Sequence, residues 1–208
     1  MTSPALTAPA ALAAGLFFGL SLIVAIGAQN TYVLRQGLLR SHVLAVVAIC
    51  ALSDVVLIFA GVGGVGVALH GRAGLLEVVR FLGAGVLLIY AALAIRRLLR
   101  GESAPAADQG VVTSLAVVVA TSLAFTWLNP AVYLDTIVLL GSVANSHGSQ
   151  EWWFGLGAMV ASIGWFVALG FGARLLIPFF RSPRAWRLLD GFVALVMATT
   201  AVRVLLAG

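Results

Sequence analysis

Residues 112–143, VTSLAVVVATSLAFTWLNPAVYLDTIVLLGSV, decide the fold class of this chain. The stretch is mostly apolar, yet it contains Asn129-Pro130 and Asp135. A straight helix of about 32 residues would be about 48 Å long, whereas the hydrocarbon core of a bilayer is about 30 Å thick. Proline removes a backbone donor and clashes with the carbonyl group four residues earlier. The stretch therefore predicts a transmembrane helix that is broken or strongly tilted.

The composition extends this prediction to the whole chain. Of 208 residues, 62% are hydrophobic and 9% are charged, and the mean hydropathy is +1.12. Soluble domains carry about 25% charged residues. Six apolar segments can be distinguished, at roughly 12–34, 43–69, 76–95, 112–143, 153–177 and 189–206. We predict an all-α polytopic membrane protein with about six transmembrane helices, forming one domain over residues 1–208.

The arginines predict the topology. All twelve basic residues are arginine and the net charge is +5. Most lie between apolar segments, which favours contact with lipid head groups over nucleic acid. Nine lie in the first, third and fifth loops: Arg35, Arg40, Arg96, Arg97, Arg100, Arg174, Arg181, Arg184 and Arg187. The other side of the membrane takes only Arg72, Arg80 and Arg203. The positive-inside rule places the nine on the cytoplasmic side of a bacterial inner membrane. Both termini are then predicted to lie outside.

The order of the spans favours an inverted repeat. Halves 11–100 and 110–208, joined by a linker at 97–110, would each contain three spans and lie in opposite orientations. This arrangement is common in secondary transporters. Asn30-Thr31-Tyr32-Val33-Leu34 in span one also resembles Asn129-Pro130-Ala131-Val132-Tyr133-Leu134 in span four. We predict a 3+3 inverted repeat in which helices one and four are broken.

Two carboxylates lie deep in apolar segments. Asp54 is near the middle of span two and Asp135 is within span four, and neither has an arginine nearby in sequence. A charged side chain at the centre of a membrane helix costs about 2.5–3.5 kcal/mol, so it is a functional candidate by default. The alternative is a structural bond to a polar side chain of another helix.

Two segments predict irregular backbone at the depth of the membrane, where it is tolerated only if buried or facing a wet cavity. Gly27-Ala28-Gln29-Asn30 interrupts span one, and Trp127-Leu128-Asn129-Pro130 interrupts span four. Broken helices offer N-termini to a carboxylate and bare carbonyls to a cation, and an amino acid has both groups. A kink that aids packing is the alternative. The candidates for substrate binding or coupling are Asp54, Asp135, Asn30, Asn129, Gln29, Gly27, Pro130, Tyr133 and Trp127.

The remaining residues predict no metal, cofactor or redox chemistry. The lone Cys50 cannot form an intrachain disulfide, and the three histidines do not have the spacing of metal ligands. Asp190 flanks a span and is predicted to be solvated. Gly15 and Gly19 form a GxxxG motif, which predicts close helix packing within one protomer and could also serve a homodimer.

Three quoted segments carry a family resemblance that covers essentially the whole chain. They are Ala25-Ile26-Gly27-Ala28-Gln29-Asn30-Thr31-Tyr32-Val33-Leu34-Arg35-Gln36-Gly37-Leu38, Cys50-Ala51-Leu52-Ser53-Asp54 with the following glycines, and Leu128-Asn129-Pro130-Ala131-Val132-Tyr133-Leu134-Asp135-Thr136. In this order they resemble the lysine/arginine exporter (LysE/ArgO) family of the LysE/RhtB amino-acid exporter superfamily. One departure is Ala131, where the family often has histidine.

The resemblance implies outward transport of L-lysine or L-arginine, driven by the proton or electrical gradient. It implies that Asp54 and Asp135 are the functional acids, with Asn30 and Asn129 beside the substrate path. Two alternatives stay open: a neutral amino acid of the threonine/homoserine type carried by the same fold, and a structural subunit of a membrane complex. An intramembrane aspartyl protease also uses two buried acids, but the residues before Asp54 and Asp135 lack the Tyr-Asp and Gly-x-Gly-Asp patterns.

Overall fold

The computed structural model describes residues 7–25, 27–65, 73–100 and 114–206, and within them the chain forms eight helices and no strand. The first four helices are α1 (Ala8–Ile23), α2 (Ala28–Leu39), α3 (Val43–Val62) and α4 (Ala73–Arg100). The others are α5 (Leu115–Trp127), α6 (Pro130–Asn145), α7 (Glu151–Gly172) and α8 (Pro183–Leu206). The predicted linker at 97–110 begins inside α4, and its remainder lies outside the described residues.

The helices account for six spans of the membrane when each bent pair is counted as one. Helices α3, α4, α7 and α8 contain single spans that are long and apolar enough to cross a bilayer. Helices α1 and α2 meet at 83°, and α5 and α6 meet at 55°. We therefore number the spans 1 (α1 with α2), 2 (α3), 3 (α4), 4 (α5 with α6), 5 (α7) and 6 (α8). The predicted helical class and the breaks in spans 1 and 4 are confirmed, and the predicted number of about six spans agrees with the upper value that this structure allows.

The surface of the bundle is apolar, as a lipid-facing surface must be. Phe17, Leu44, Phe59 and Leu195 are each more than half exposed. Apolar patches of this extent are rare on soluble monomers, whereas in a bilayer the same side chains contact acyl chains.

The spans pack in corresponding pairs. Span 1 lies parallel to span 5, because Gly15 approaches Phe154 and Gly37 approaches Gly170. Span 4 lies parallel to span 2, because Trp127 bonds to Ser53 and Gly141 approaches Gly61. Spans 1 and 5 correspond to spans 4 and 2 when the two halves of the chain are exchanged, so the two pairs are equivalent. Spans 3 and 6, which also correspond, pack against each other.

Small residues bring span 1 and span 5 together, as the GxxxG motif predicted for packing within one protomer. A Cβ atom at Gly15 would overlap the backbone of Phe154, and one at Gly19 would crowd Ala158. A Cβ atom at Gly157 would overlap the carbonyl oxygen of Leu12. Glycine is therefore required here for close approach of the two backbones.

We expect Gly157→Ala to destabilise the protein and Gly164→Ala to leave it unchanged or slightly more stable. Both glycines lie in α7, but a Cβ atom at Gly164 has nothing within 4 Å. Overpacking against backbone costs about 1–3 kcal/mol, while alanine gains up to about 1 kcal/mol of helix propensity. Thermal unfolding in detergent measures the difference, and equal midpoints for the two variants would contradict this packing.

The prediction that Asp190 is solvated is wrong. The residue is 3% exposed. Its Oδ1 atom accepts a hydrogen bond from Nε of Arg97 at 3.0 Å, and Nε of Arg35 lies 3.8 Å from the same oxygen. Asp190 lies at the end of a span, where sequence alone suggests solvent exposure. Its two arginine partners come from α2 and α4, far away in the chain, so its burial could not be predicted.

Candidate transport site

A cavity of about 720 Å³ lies where the two broken spans meet. The breaks contribute Gly27, Ala28, Gln29 and Asn30 from span 1, and Asn129 and Pro130 from span 4. Ligand cavities in proteins commonly measure about 300–1,000 Å³, so an amino acid fits. Seven of the nine predicted site residues line this one cavity; Tyr133 and Trp127 do not.

Asp54 reaches the cavity from α3 while remaining almost buried. It is 6% exposed, and its Oδ2 atom accepts a hydrogen bond of 2.8 Å from Oγ of Ser162 on α7. Within the described residues no basic side chain forms an ion pair with it. A carboxylate inside a membrane bundle with one neutral donor is incompletely compensated, so a cation in the cavity would be stabilised beside it.

Asp135 presents a more open carboxylate to the same cavity. It lies in Tyr133–Leu140, a π-helical stretch of α6, and its side chain is exposed. No hydrogen bond or ion pair holds it among the residues that the structure describes. π-Helical turns occur frequently at functional sites because they displace side chains from regular helical positions. Here Leu134, Asp135 and Thr136 all line the cavity.

The break in span 1 is held by Asn30 and leaves a helix N-terminus at the cavity. The Asn30 amide donates to the carbonyl groups of Ile23 and Ala25 at 2.6 and 2.9 Å, and its Oδ1 accepts from Nε1 of Trp165 at 3.2 Å. The first hydrogen bond of α2 runs from Thr31 to Gly27. The preceding amide groups, those of Ala28, Gln29 and Asn30, have no acceptor within the helix and can bind an anion.

The break in span 4 is closed by side chains around Pro130. Oδ1 of Asn129 accepts from the amide of Ala131 at 3.2 Å and so caps α6. The hydroxyl of Tyr133 donates to the carbonyl oxygen of Trp127, which the break has freed, at 2.6 Å, and Nε1 of Trp127 donates to Ser53 at 3.1 Å. Tyr133 and Trp127 therefore stabilise the broken backbone.

The cavity also contains charged residues that sequence reasoning missed as site residues. Glu77 and Arg80 near the start of α4, and Arg203 near the end of α8, line it. Arg80 and Arg203 were assigned only to topology, since they lie at span ends. The available signal was the spacing of Glu77 and Arg80, which puts both on one face of a helix. Glu77 and Arg203 are exposed and mark the open end of the cavity.

Six spans around a cavity lined by carboxylates at membrane depth define a membrane transport protein. Within the described residues no cluster of histidine, cysteine or acidic side chains could hold a metal ion. The chain belongs to the LysE type translocator family, whose pattern it matches over residues 20–208.

Relatives that match over most of their length agree with this membership. The chain is 48% identical over 192 residues to a candidate amino-acid transporter of Mycobacterium tuberculosis, with 89% of this chain and 92% of the relative covered. It is 37% identical over 223 residues to the lysine exporter of Corynebacterium diphtheriae (93% and 97% covered). It is 40% identical over 184 residues to the arginine exporter of Pectobacterium carotovorum (88% and 90% covered). No solved structure matches the chain.

Proposed function

We propose that this protein exports basic L-amino acids, lysine and arginine, from the bacterial cytoplasm. The observation that carries the proposal is the presence of Asp54 and Asp135 on one cavity at membrane depth, with no basic partner for either among the described residues. The relatives named as lysine and arginine exporters support it. Arg80 and Arg203 also line the cavity but form no ion pair with either carboxylate, so a cationic solute is the ligand that these two acids favour.

The cavity suggests an orientation for the substrate. The cationic side chain of lysine or arginine contacts Asp135, whose carboxylate is exposed to the cavity. The α-carboxylate binds the amide groups at the N-terminus of α2, where the helix dipole and free donors favour an anion. The two subsites lie on spans 4 and 1, so the substrate bridges the two halves of the protein.

Export of a cation must be coupled to a source of energy. Moving one positive charge out against an inside-negative potential costs about 2.3 kcal/mol per 100 mV. We assign the coupling proton to Asp54, because its carboxylate is nearly buried, bonds only to Ser162 and still reaches the cavity. Entry of a proton at Asp54 from outside and release of the amino acid in exchange would use the existing gradient. In the predicted topology the cavity of this structure opens outward.

Counterflow in proteoliposomes tests the proposal. Purified protein is reconstituted, and uptake of labelled arginine is driven by unlabelled arginine, lysine or threonine inside the vesicles. We expect arginine and lysine to drive uptake and threonine to fail. Threonine counterflow without arginine counterflow would establish the neutral-substrate alternative instead, and transport by the purified chain would show that no further subunit is needed.

Gln29 provides a second test, directed at the α-carboxylate. Its amide nitrogen is buried and has no hydrogen-bond partner in the described part of the chain, although the residue lines the cavity. A hydrogen bond to a charged group contributes about 1.5–3 kcal/mol, so we expect Gln29→Ala to weaken arginine binding about 10- to 100-fold. Agmatine, which lacks the carboxylate, is the internal control: competition by agmatine should be unchanged, and an equal loss for both compounds would contradict the assignment.

A further inference from the structure

An ion cluster built around one buried carboxylate lies at the end of the bundle opposite the open end of the cavity. It consists of Arg35 on α2, Arg97 on α4 and Asp190 on α8. Asp190 Oδ1 accepts from Arg97 at 3.0 Å and has Arg35 Nε at 3.8 Å, and the side chain of Asp190 is 5% exposed. One carboxylate thus ties together spans 1, 3 and 6. Neither the cavity nor the mechanism proposed above uses these residues.

An aromatic cluster, formed by Tyr32 on span 1, Tyr90 on span 3 and Phe125 on span 4, shares two of these spans. The ring centroid of Tyr32 lies 5.9 Å from that of Tyr90 and 5.3 Å from that of Phe125. The centroids of Tyr90 and Phe125 are 4.8 Å apart, and all three pairs of rings are close to edge-to-face. The Tyr90 hydroxyl shares a hydrogen bond of 2.6 Å with Thr121. Tyr32 and Phe125 are buried. The cluster fills the space between spans 1, 3 and 4 with well-packed rings.

Cavity, aromatic cluster and ion cluster follow one another along two spans. The cavity lining ends at Asn30 on α2 and Arg80 on α4. Tyr32 then Arg35 follow on α2, and Tyr90 then Arg97 follow on α4. Helix α8 runs in the opposite direction, so its cavity-lining residues begin at Thr200 and Asp190 lies ten residues before them, again beyond the cavity. A solute leaving the cavity in this direction therefore meets the rings first and the ion cluster second.

Helix α2 connects the substrate site to the ion cluster. Its first turn, Ala28 to Asn30, lies at the cavity, and Arg35 lies about 8 Å beyond Asn30 along the helix axis. The 83° bend separates α2 from α1, so α2 is a short helix with an axis of its own. Any tilt that follows occupation of its N-terminus also moves Arg35 relative to Asp190.

We infer that the ion cluster and the aromatic cluster form a gate that closes the cavity toward the cytoplasm, and that Asp190 is its central positioning residue. The inference rests on the proposed function only in that the protein alternates access to the cavity. Loss of the Asp190 charge leaves two arginines facing each other without a counterion, which disfavours the closed arrangement. Transport then requires Arg35 and Arg97 to leave Asp190 in each cycle.

Accessibility of the cavity from each side of the membrane tests the gate without any amino acid. In a Cys50→Ala background, Thr200→Cys places a thiol on the cavity lining. A membrane-impermeant cationic methanethiosulfonate is applied to right-side-out and to inverted vesicles. With the gate intact we expect labelling only from the Arg203 side. With Asp190→Asn or Arg97→Gln we expect labelling from the Asp190 side to rise at least about tenfold.

Arg96→Gln is the matched control, because Arg96 neighbours Arg97 on α4 but is exposed and belongs to neither cluster; it should label like the protein with an intact gate. Arg97 is 25% exposed, so Arg97→Gln keeps the test valid if Asp190→Asn fails to reach the membrane. Unchanged labelling from the Asp190 side in variants present at normal amounts would overturn the gate. Since no substrate takes part, that outcome is separate from any failure of arginine counterflow.

Discussion

Replacement of Asp135 by asparagine is expected to abolish both net export and counterflow of arginine and lysine. The side chain is exposed to the cavity and is held by no bond within the described residues, so asparagine removes the charge without breaking a structural contact. A bound substrate would cover this carboxylate, and removing one partner of a buried ion pair costs about 3–5 kcal/mol because the other charge is left without a counterion. That energy corresponds to a loss of binding of about 100- to 5,000-fold.

The control for this variant is Glu151→Gln, which neutralises an acid outside the cavity lining. It should transport like the unmodified protein. Asp135→Glu keeps the charge and should retain part of the activity. Arginine counterflow at a normal rate in Asp135→Asn would remove this residue from the substrate site.

Replacement of Asp54 by asparagine is expected to stop gradient-driven export and to leave counterflow unchanged. Asparagine is close in size to aspartate and its carbonyl oxygen can still accept the hydrogen bond from Ser162, so the fold is retained. It cannot release or accept a proton, however, and the coupling step is lost. Counterflow needs no net proton movement, because the loaded protein exchanges one amino acid for another. Comparing the two assays in the same vesicles measures the difference.

Ser162→Ala isolates the charge of Asp54 from its hydrogen bond. It removes the donor and keeps the carboxylate, and a hydrogen bond of this kind contributes about 1.5–3 kcal/mol. We expect weakened but still gradient-driven export. If Asp54→Asn exported arginine against a gradient at the normal rate, the proton would have to be carried elsewhere.

The fold and much of the cavity could be predicted, because both follow from the free-energy cost of single residues within apolar segments. A carboxylate in an apolar segment, or a proline inside one, is unfavourable wherever the rest of the chain lies. The sequence around Asn129-Pro130 therefore predicted the break in span 4, and its neighbour Asp135 lies on the cavity. The same reasoning selected Asp54 and Asn30.

Residues whose role depends on distant partners could not be assigned in this way. Asp190 looked solvated because its two arginines come from other spans. Arg80 and Arg203 were taken as topology signals, since nothing near them in sequence shows that α4 and α8 bring them to one cavity. Trp127 and Tyr133 were expected to be able to face a ligand, and their bonds across the break depend on the path of the broken backbone.

Protection of a cavity thiol by substrate tests the central claim most directly. In a Cys50→Ala background, Thr136→Cys places a thiol on the lining next to Asp135, with both aspartates intact. If a cationic amino acid occupies the cavity beside these carboxylates, L-arginine and L-lysine should slow labelling of the thiol severalfold while L-threonine does not, and Asp135→Asn should remove the protection. Labelling at the same rate with and without arginine, in protein that still transports arginine, would contradict it.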